Sequence, residues 1–302
     1  MQGLSKSYRL GFNQVSLWLT FLFFICDNRA LGGMCLRGYF LLLLVTAVWG
    51  TTFPVQKLAI GEVSPLAYNS VRFAIASVVA FILWGKGEWK RGSLLGVILA
   101  LSYASQTAGL KITTASKNGF FTSLYIVLVP FVSWIIEGVK PRYNHLIGAV
   151  LAFFGSYLLS GGIEGFNFGD FLSTLCGIGF AFHVVLITKF SKEIRETDLL
   201  TPQFIITAVL NGILAINASW YMSFGAIGAA VYTAILATVL GIWMQVKYQK
   251  EVGSNTAAMI FTGEPVFAML FSSLILGETF SHSQIIGASL LVGAIILSGV
   301  KK

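Results

Sequence analysis

Ten apolar runs, each long enough to cross about 30 Å of hydrocarbon, follow one another with only short connections. They lie near residues 38–56, 66–84, 93–110, 119–136, 145–161, 170–188, 203–220, 226–246, 256–276 and 283–300. A backbone facing lipid must satisfy its own hydrogen bonds, so the pattern predicts an all-α integral membrane protein with ten transmembrane helices and no separate soluble domain. Composition agrees: 56% of the 302 residues are hydrophobic and 11% charged, too little charge to cover a soluble protein of this size.

The net charge of +8 would suggest nucleic acid in a soluble domain, but here its distribution matters more. With the first run entered from inside, sixteen of the 20 lysines and arginines fall on inner segments. Only Lys57, Lys111 and Lys117 fall on outer loops, and Arg72 lies within a span. This bias predicts that both termini are cytoplasmic and gives no reason to expect a nucleic-acid partner. Cys26, Cys35 and Cys176 lack the spacing of a metal or disulfide framework. No metal and no cofactor is expected.

The first 33 residues fit the pattern poorly. Their apolar stretch, 15–26, has 12 residues and is too short to span. The expectation is that translation starts at Met34, with a signal-type or interfacial segment as the alternative.

The two halves resemble each other. Ser64-Pro65 answers Thr201-Pro202, Gln106 and Lys111 answer Gln245 and Lys250, and "IGA" at 147–149 answers "IGA" at 286–288. Residues 34–162 and 163–302 are thus expected to be two repeats of five helices. Five is odd, so the second must cross the membrane in the opposite sense. Inverted repeats allow a central site to be exposed to either side in turn, which points to a transporter.

Specific stretches then carry a family resemblance. "LLLVTAVWGTTFPVQKLA" (42–59), "VSPLAYNSVRF" (63–73), "NGFFTSLYIVLVPFVSW" (118–134) and "AAMIFTGEPVFAMLFSSLILGE" (257–278) are similar to the EamA-type branch of the drug/metabolite transporter superfamily. The resemblance covers about 34–302. It implies ten helices, cytoplasmic termini in a bacterial-type cell membrane, and a central cavity between the repeats. It also implies transport of amino acids, other metabolites or drugs, often outward. One departure is Glu137-Gly138, where similar first repeats close with Gly-Glu, so Glu137 is a doubtful counterpart of Glu278.

Polar residues inside the runs are the candidate site. Glu264 lies about 12 Å deep at 1.5 Å per residue. It would bind a substrate amine, carry a proton in exchange, or satisfy the backbone loosened by Pro265. Tyr125 is its repeat equivalent, able to bond or stack with a substrate or simply to pack. Arg72, about 9 Å below the outer surface, would receive a carboxylate or snorkel to the interface. Gln106 and Gln245 suit a polar substrate or tie helices together. His183 is a proton relay or a packed histidine. Trp49 and Trp243 offer aromatic walls or ordinary packing, and Asn69 and Asn118 are expected to be structural. Pro54, Pro130 and Pro265 are candidate helix breaks, those on the fourth and ninth runs being the best pointer to a binding site. Rows of small residues, Gly96-Ala100-Ala104-Ala108 and Ala226-Ala230-Ala234-Thr238, predict close helix contacts.

The expected function is secondary transport, with export of a small metabolite such as an amino acid by alternating access. The expected partners are that substrate, the bilayer, a proton as candidate coupling ion and a second copy of the chain. No GxxxxGK[ST] motif suggests ATP drive. The alternative is efflux of a drug or amphiphilic cation against Glu264. A lipid-modifying membrane enzyme would need clustered acids, bases or ligands near one face; His145 and His282 have no evident partners at motif spacing.

Overall fold

The computed structural model describes residues 36–60, 63–161, 165–276 and 279–299. The reading of the first 33 residues, Cys26, Cys35 and the Gly277-Glu278 pair lie outside these. Among the described residues the chain is helical with no strand: α1 (Leu36–Ala59), α2 (Pro65–Trp84), α3 (Trp89–Ile112), α4 (Ala115–Ser123), α5 (Tyr125–Glu137), α6 (Tyr143–Leu159), α7 (Phe168–Glu193), α8 (Leu200–Leu214), α9 (Phe224–Tyr232), α10 (Gly241–Val252), α11 (Ser254–Phe261), α12 (Gly263–Leu276) and α13 (His282–Gly299). Among the described residues seven stretches are long and apolar enough to cross a membrane, and Tyr143–Leu159 and His282–Leu297 are shorter apolar helices.

Two helical runs are divided where the backbone hydrogen bonds are diverted. In the fourth, Ser123 Oγ donates to the carbonyl of Phe120 at 2.7 Å, and α5 begins after Leu124. In the ninth, Thr262 Oγ1 donates to the carbonyl of Met259 at 2.7 Å, and α12 begins at the next residue. Such back-bonding hydroxyls bend helices. Pro265, the third residue of α12, adds to the second break because it has no N–H for the carbonyl of Phe261. Pro54 and Pro130, by contrast, lie within continuous helices. The interruption of the fourth run is therefore at Leu124, not at Pro130, and the first run is not interrupted at all.

The seventh and eighth runs also differ from expectation. α8 stops at Leu214, where the chain tightens into turns and Trp220 Nε1 donates to the carbonyl of Ala215 at 3.1 Å. Between α9 and α10, residues Thr233–Leu240 form a π-helical segment. Its wider turn leaves the carbonyl of Ala237 to Trp49 Nε1 of α1, 2.9 Å away. π-Helical widenings within α-helices are frequent at functional sites.

The helices pack around one centre: α1 against α10 and α12, α3 against α7 and α8, α2 against α8, α5 against α7, and α6 against α13. The first small-residue row lies at the α3–α8 contact, and the second where α9 and the π-helical segment pack on α2. Gly96 meets the backbone of Gln203, and Ala226, Ala230, Ala234 and Thr238 are buried. The tightest crossing is α6 on α13. A Cβ on Gly287 would stand 2.5 Å from the Gly155 carbonyl oxygen and 2.6 Å from the Leu159 nitrogen. Backbone cannot yield as a side chain can, so Gly287→Val should part the pair. Overpacking of this kind costs about 1–3 kcal/mol, and thermal unfolding in detergent should show a clearly lowered midpoint.

Candidate functional site

Trp49, Arg72, Gln106, Tyr125, His183, Gln245 and Glu264, from seven different helical runs, line a single central cavity. Its volume is about 50 Å³, room for only a few waters. Thr52, Gln56, Leu99, Tyr103, Phe180 and Phe261 complete much of its wall. Of these, Thr52, Gln56 and Tyr103 add polar groups that the sequence did not single out.

The helix breaks set two of the polar groups. Tyr125 is the first residue of α5 and Glu264 the second residue of α12. Glu264 thus occupies the positive end of a helix dipole, which favours a carboxylate. Tyr125 meets Phe180 edge-on, with centroids 6.4 Å apart. Phe180 in turn meets Tyr103 edge-on at 5.5 Å, giving the cavity an aromatic side. Trp49 closes another side, tilted against Phe261 at 5.2 Å.

Arg72 is 1% exposed, which overturns the snorkelling alternative. Its helix α2 turns Tyr68, Phe73 and Ala76 inward with it. Nε donates to Thr238 Oγ1 of the π-helical segment at 2.8 Å, and Nη2 to Tyr103 Oη at 3.5 Å. The guanidinium lies 4.7 Å from the Tyr103 ring centre. Nη1 is buried with no hydrogen-bond partner. Among the described residues no ion pair joins Arg72 to Glu264, although both face the same cavity.

The remaining candidates divide. His183 shares a 3.3 Å contact between Nε2 and Gln203 Oε1. Gln245 Nε2 donates to Gln249 Oε1 at 3.0 Å, and Gln249 donates to the carbonyl of Val184 and to Thr188. Trp243 is absent from the cavity wall. It stacks on Trp84 at 6.3 Å and carries the Lys247 ammonium 4.8 Å over its ring. Asn69 donates to the Tyr103 carbonyl, and Asn118 to the Gln106 carbonyl and Ser173, as structural asparagines do.

Each end of the bundle has its own polar closure. At the end carrying Lys192 and Lys250, Glu137 accepts from Ser133 and from Ser254 and stands 3.5 Å from Lys192. At the opposite end, Asp170 is wholly buried, accepts from Thr113 at 2.6 Å and pairs with Lys117 at 3.6 Å. A larger vestibule of about 540 Å³ opens at that second end and shares Phe53 with the central cavity.

Comparison with known proteins fits this architecture. The EamA-like transporter family model matches residues 36–161 and 167–300. An uncharacterized transporter of Archaeoglobus fulgidus is 36% identical over 263 residues, covering 86% of this chain and 85% of its own. The uncharacterized transporter YwfM of Bacillus subtilis is 25% identical over 280 residues, covering 87% of this chain and 95% of its own. A solved crystal structure superposes with a TM-score of 0.74 at 18% identity, covering 86% of this chain and 96% of that one, so the two share a fold. The chain is a multi-pass membrane protein and belongs to the EamA-like transporter family.

Proposed function

We propose that the protein is a secondary transporter that exports a small zwitterionic metabolite, such as an amino acid, by alternating access. The observation that carries this reading is two charged groups that line one cavity without an ion pair between them: an arginine with a free buried N–H and a glutamate at a helix N-terminus. A buried polar group without a partner is costly. A substrate carboxylate would take up the free N–H of Arg72, and a substrate ammonium would pair with Glu264. Gln106, Gln245 and His183 would serve the substrate's remaining polar groups, and Tyr125 its side chain.

The framework for this is two inverted five-helix repeats, 34–162 and 163–302, giving ten spans. Its support is internal. The back-bonding hydroxyls Ser123 and Thr262 stand 139 residues apart, as do their acceptors Phe120 and Met259. The packing is also consistent with exchange of the halves: α3 on α7 mirrors α10 on α1, and α5 on α7 mirrors α12 on α1. The basic end would be cytoplasmic, with both termini there, in the cell membrane. A cavity holding only a few waters is closed around its site, so substrate entry requires the halves to move.

Glu264 is the proposed coupling group. Proteoliposomes offered a panel of amino acids, with and without a pH gradient, test this. Glu264→Gln keeps shape and a donor but cannot titrate. It should retain binding of an amine-free analogue and lose the response to the gradient. An unchanged response would sink the coupling role. The aromatic side formed by Tyr103, Phe180 and Tyr125 favours a second reading, efflux of an amphiphilic cation held by Glu264 alone. Accumulation of a lipophilic cation in place of amino acids would select it.

A further inference from the structure

The basic residues that the sequence leaves on the outer loops, Lys57, Lys111 and Lys117, come from three separate elements, the ends of α1 and α3 and the body of α4. All three line the one 540 Å³ vestibule. No aspartate or glutamate among the described residues lines it with them. Asp170 stands behind Lys117, wholly buried, so the wall keeps an excess of positive charge. Two of the lysines are held in place rather than free to swing. Lys57 Nζ donates to the carbonyls of Leu110 and Thr113 at 2.8 and 3.2 Å. Lys117 Nζ donates to the carbonyl of Gly165 at 2.8 Å. Lys111 is exposed.

A second observation points to a ligand. Ser156, 2% exposed, lines the same vestibule and its hydroxyl has no hydrogen-bond partner. The rest of the wall mixes apolar side chains, Phe53, Phe120 and Met269 among them, with uncharged polar ones such as Asn167 and Gln284. A solvated pore mouth would not need fixed cations beside an unsatisfied hydroxyl and phenyl rings. This combination suits a molecule with an anionic head and an apolar body.

We propose that the vestibule is an anion site, distinct from the central cavity. Lys57, Lys111 and Lys117 receive the carboxylate or phosphate of an amphipathic organic anion, Ser156 donates to it, and its apolar part lies along Phe53, Phe120 and Met269. Either a soluble anion or an anionic lipid headgroup supplies that chemistry. The site does not depend on the zwitterion reading of the central cavity.

The test is equilibrium binding of labelled benzoate, and of its neutral isostere benzamide, to the full chain in phosphatidylcholine nanodiscs. Benzoate should bind with an affinity that falls as salt rises, and benzamide at least tenfold more weakly. Lys57→Gln/Lys111→Gln should weaken benzoate at least tenfold. Lys111→Gln, at an exposed position that disturbs no packing, should weaken it severalfold. Lys140→Gln, at an exposed lysine away from the vestibule, should leave it unchanged. Displacement of benzoate by phosphatidylglycerol in the disc would assign the site to a headgroup, and its persistence to a soluble anion. Equal binding of benzamide, or benzoate binding that survives the lysine changes, would overturn the proposal. So would loss of binding in Arg72→Gln alone, which would put the anion in the central cavity.

Discussion

Arg72→Gln should abolish the preference for an amino acid over its decarboxylated amine. Arg72 is buried, charged and short of one hydrogen-bond acceptor, so in the proposed complex the substrate carboxylate completes its coordination. Truncating one partner of a buried, hydrogen-bonded charge pair costs about 2–5 kcal/mol. At about 1.4 kcal/mol per tenfold, binding should weaken about 30-fold to several thousandfold. Arg72→Lys keeps the charge but not the planar fork, and should fall between. Because Nε also holds Thr238 in the π-helical segment, a purely structural role must be separated. Thr238→Val serves that purpose, since it removes the anchor and leaves the guanidinium. It should lower affinity for acid and amine alike. Paired binding measurements on both ligands decide the matter: a preference that survives Arg72→Gln would remove the carboxylate from this site. The mirror experiment uses Glu264→Gln with the amino acid and its deaminated acid.

The polar residues of this cavity were legible in the sequence because hydrocarbon makes them conspicuous. Arg72, Gln106, His183, Gln245 and Glu264 interrupt apolar runs, and they line one cavity. What failed were judgements that depend on which way a helix face turns. Arg72 could reach the interface by depth alone, yet α2 rotates it inward beside Tyr68 and Phe73. Trp243 stands one turn from Val239 and beside Ile242, but stacking on Trp84 and the Lys247 ammonium draw it aside. Tyr103 and Gln56 went unnoticed, the first as one aromatic among many, the second because it adjoins Lys57 near a helix end. The break at Leu124 has no proline to announce it. Its signal is Ser123, a residue that ordinarily sits in helices without incident, and only its counterpart Thr262 beside Pro265 gives it meaning.

Glu137→Ala should open the basic end of the bundle. A carboxylate at the last residue of α5 opposes that helix's dipole, so its position needs compensation from elsewhere. It receives this from Ser254, the first residue of α11, from Ser133, and from Lys192 of α7. Its side chain is 6% exposed. These contacts join α5, in the first proposed repeat, to α7 and α11, in the second, and another lysine of α7, Lys189, donates to the carbonyl of Ile136 at 3.3 Å. For the central cavity to face this end, the Glu137 contacts must separate. A hydrogen bond to a charged group contributes about 1.5–3 kcal/mol, so losing one should shift the closed-to-open ratio about 10- to 150-fold at 1.36 kcal/mol per tenfold. Val184 lines the cavity and can report the shift. With Cys26, Cys35 and Cys176 replaced by alanine, Val184→Cys should react with an impermeant maleimide applied from the basic end at least tenfold faster once Glu137 is alanine. Lys192→Gln should have little effect, because Lys192 is 52% exposed and surface ion pairs contribute about 0–1 kcal/mol. If Lys192→Gln accelerates labelling and Glu137→Ala does not, the closure rests on surface charge and the buried carboxylate is only a helix-end contact.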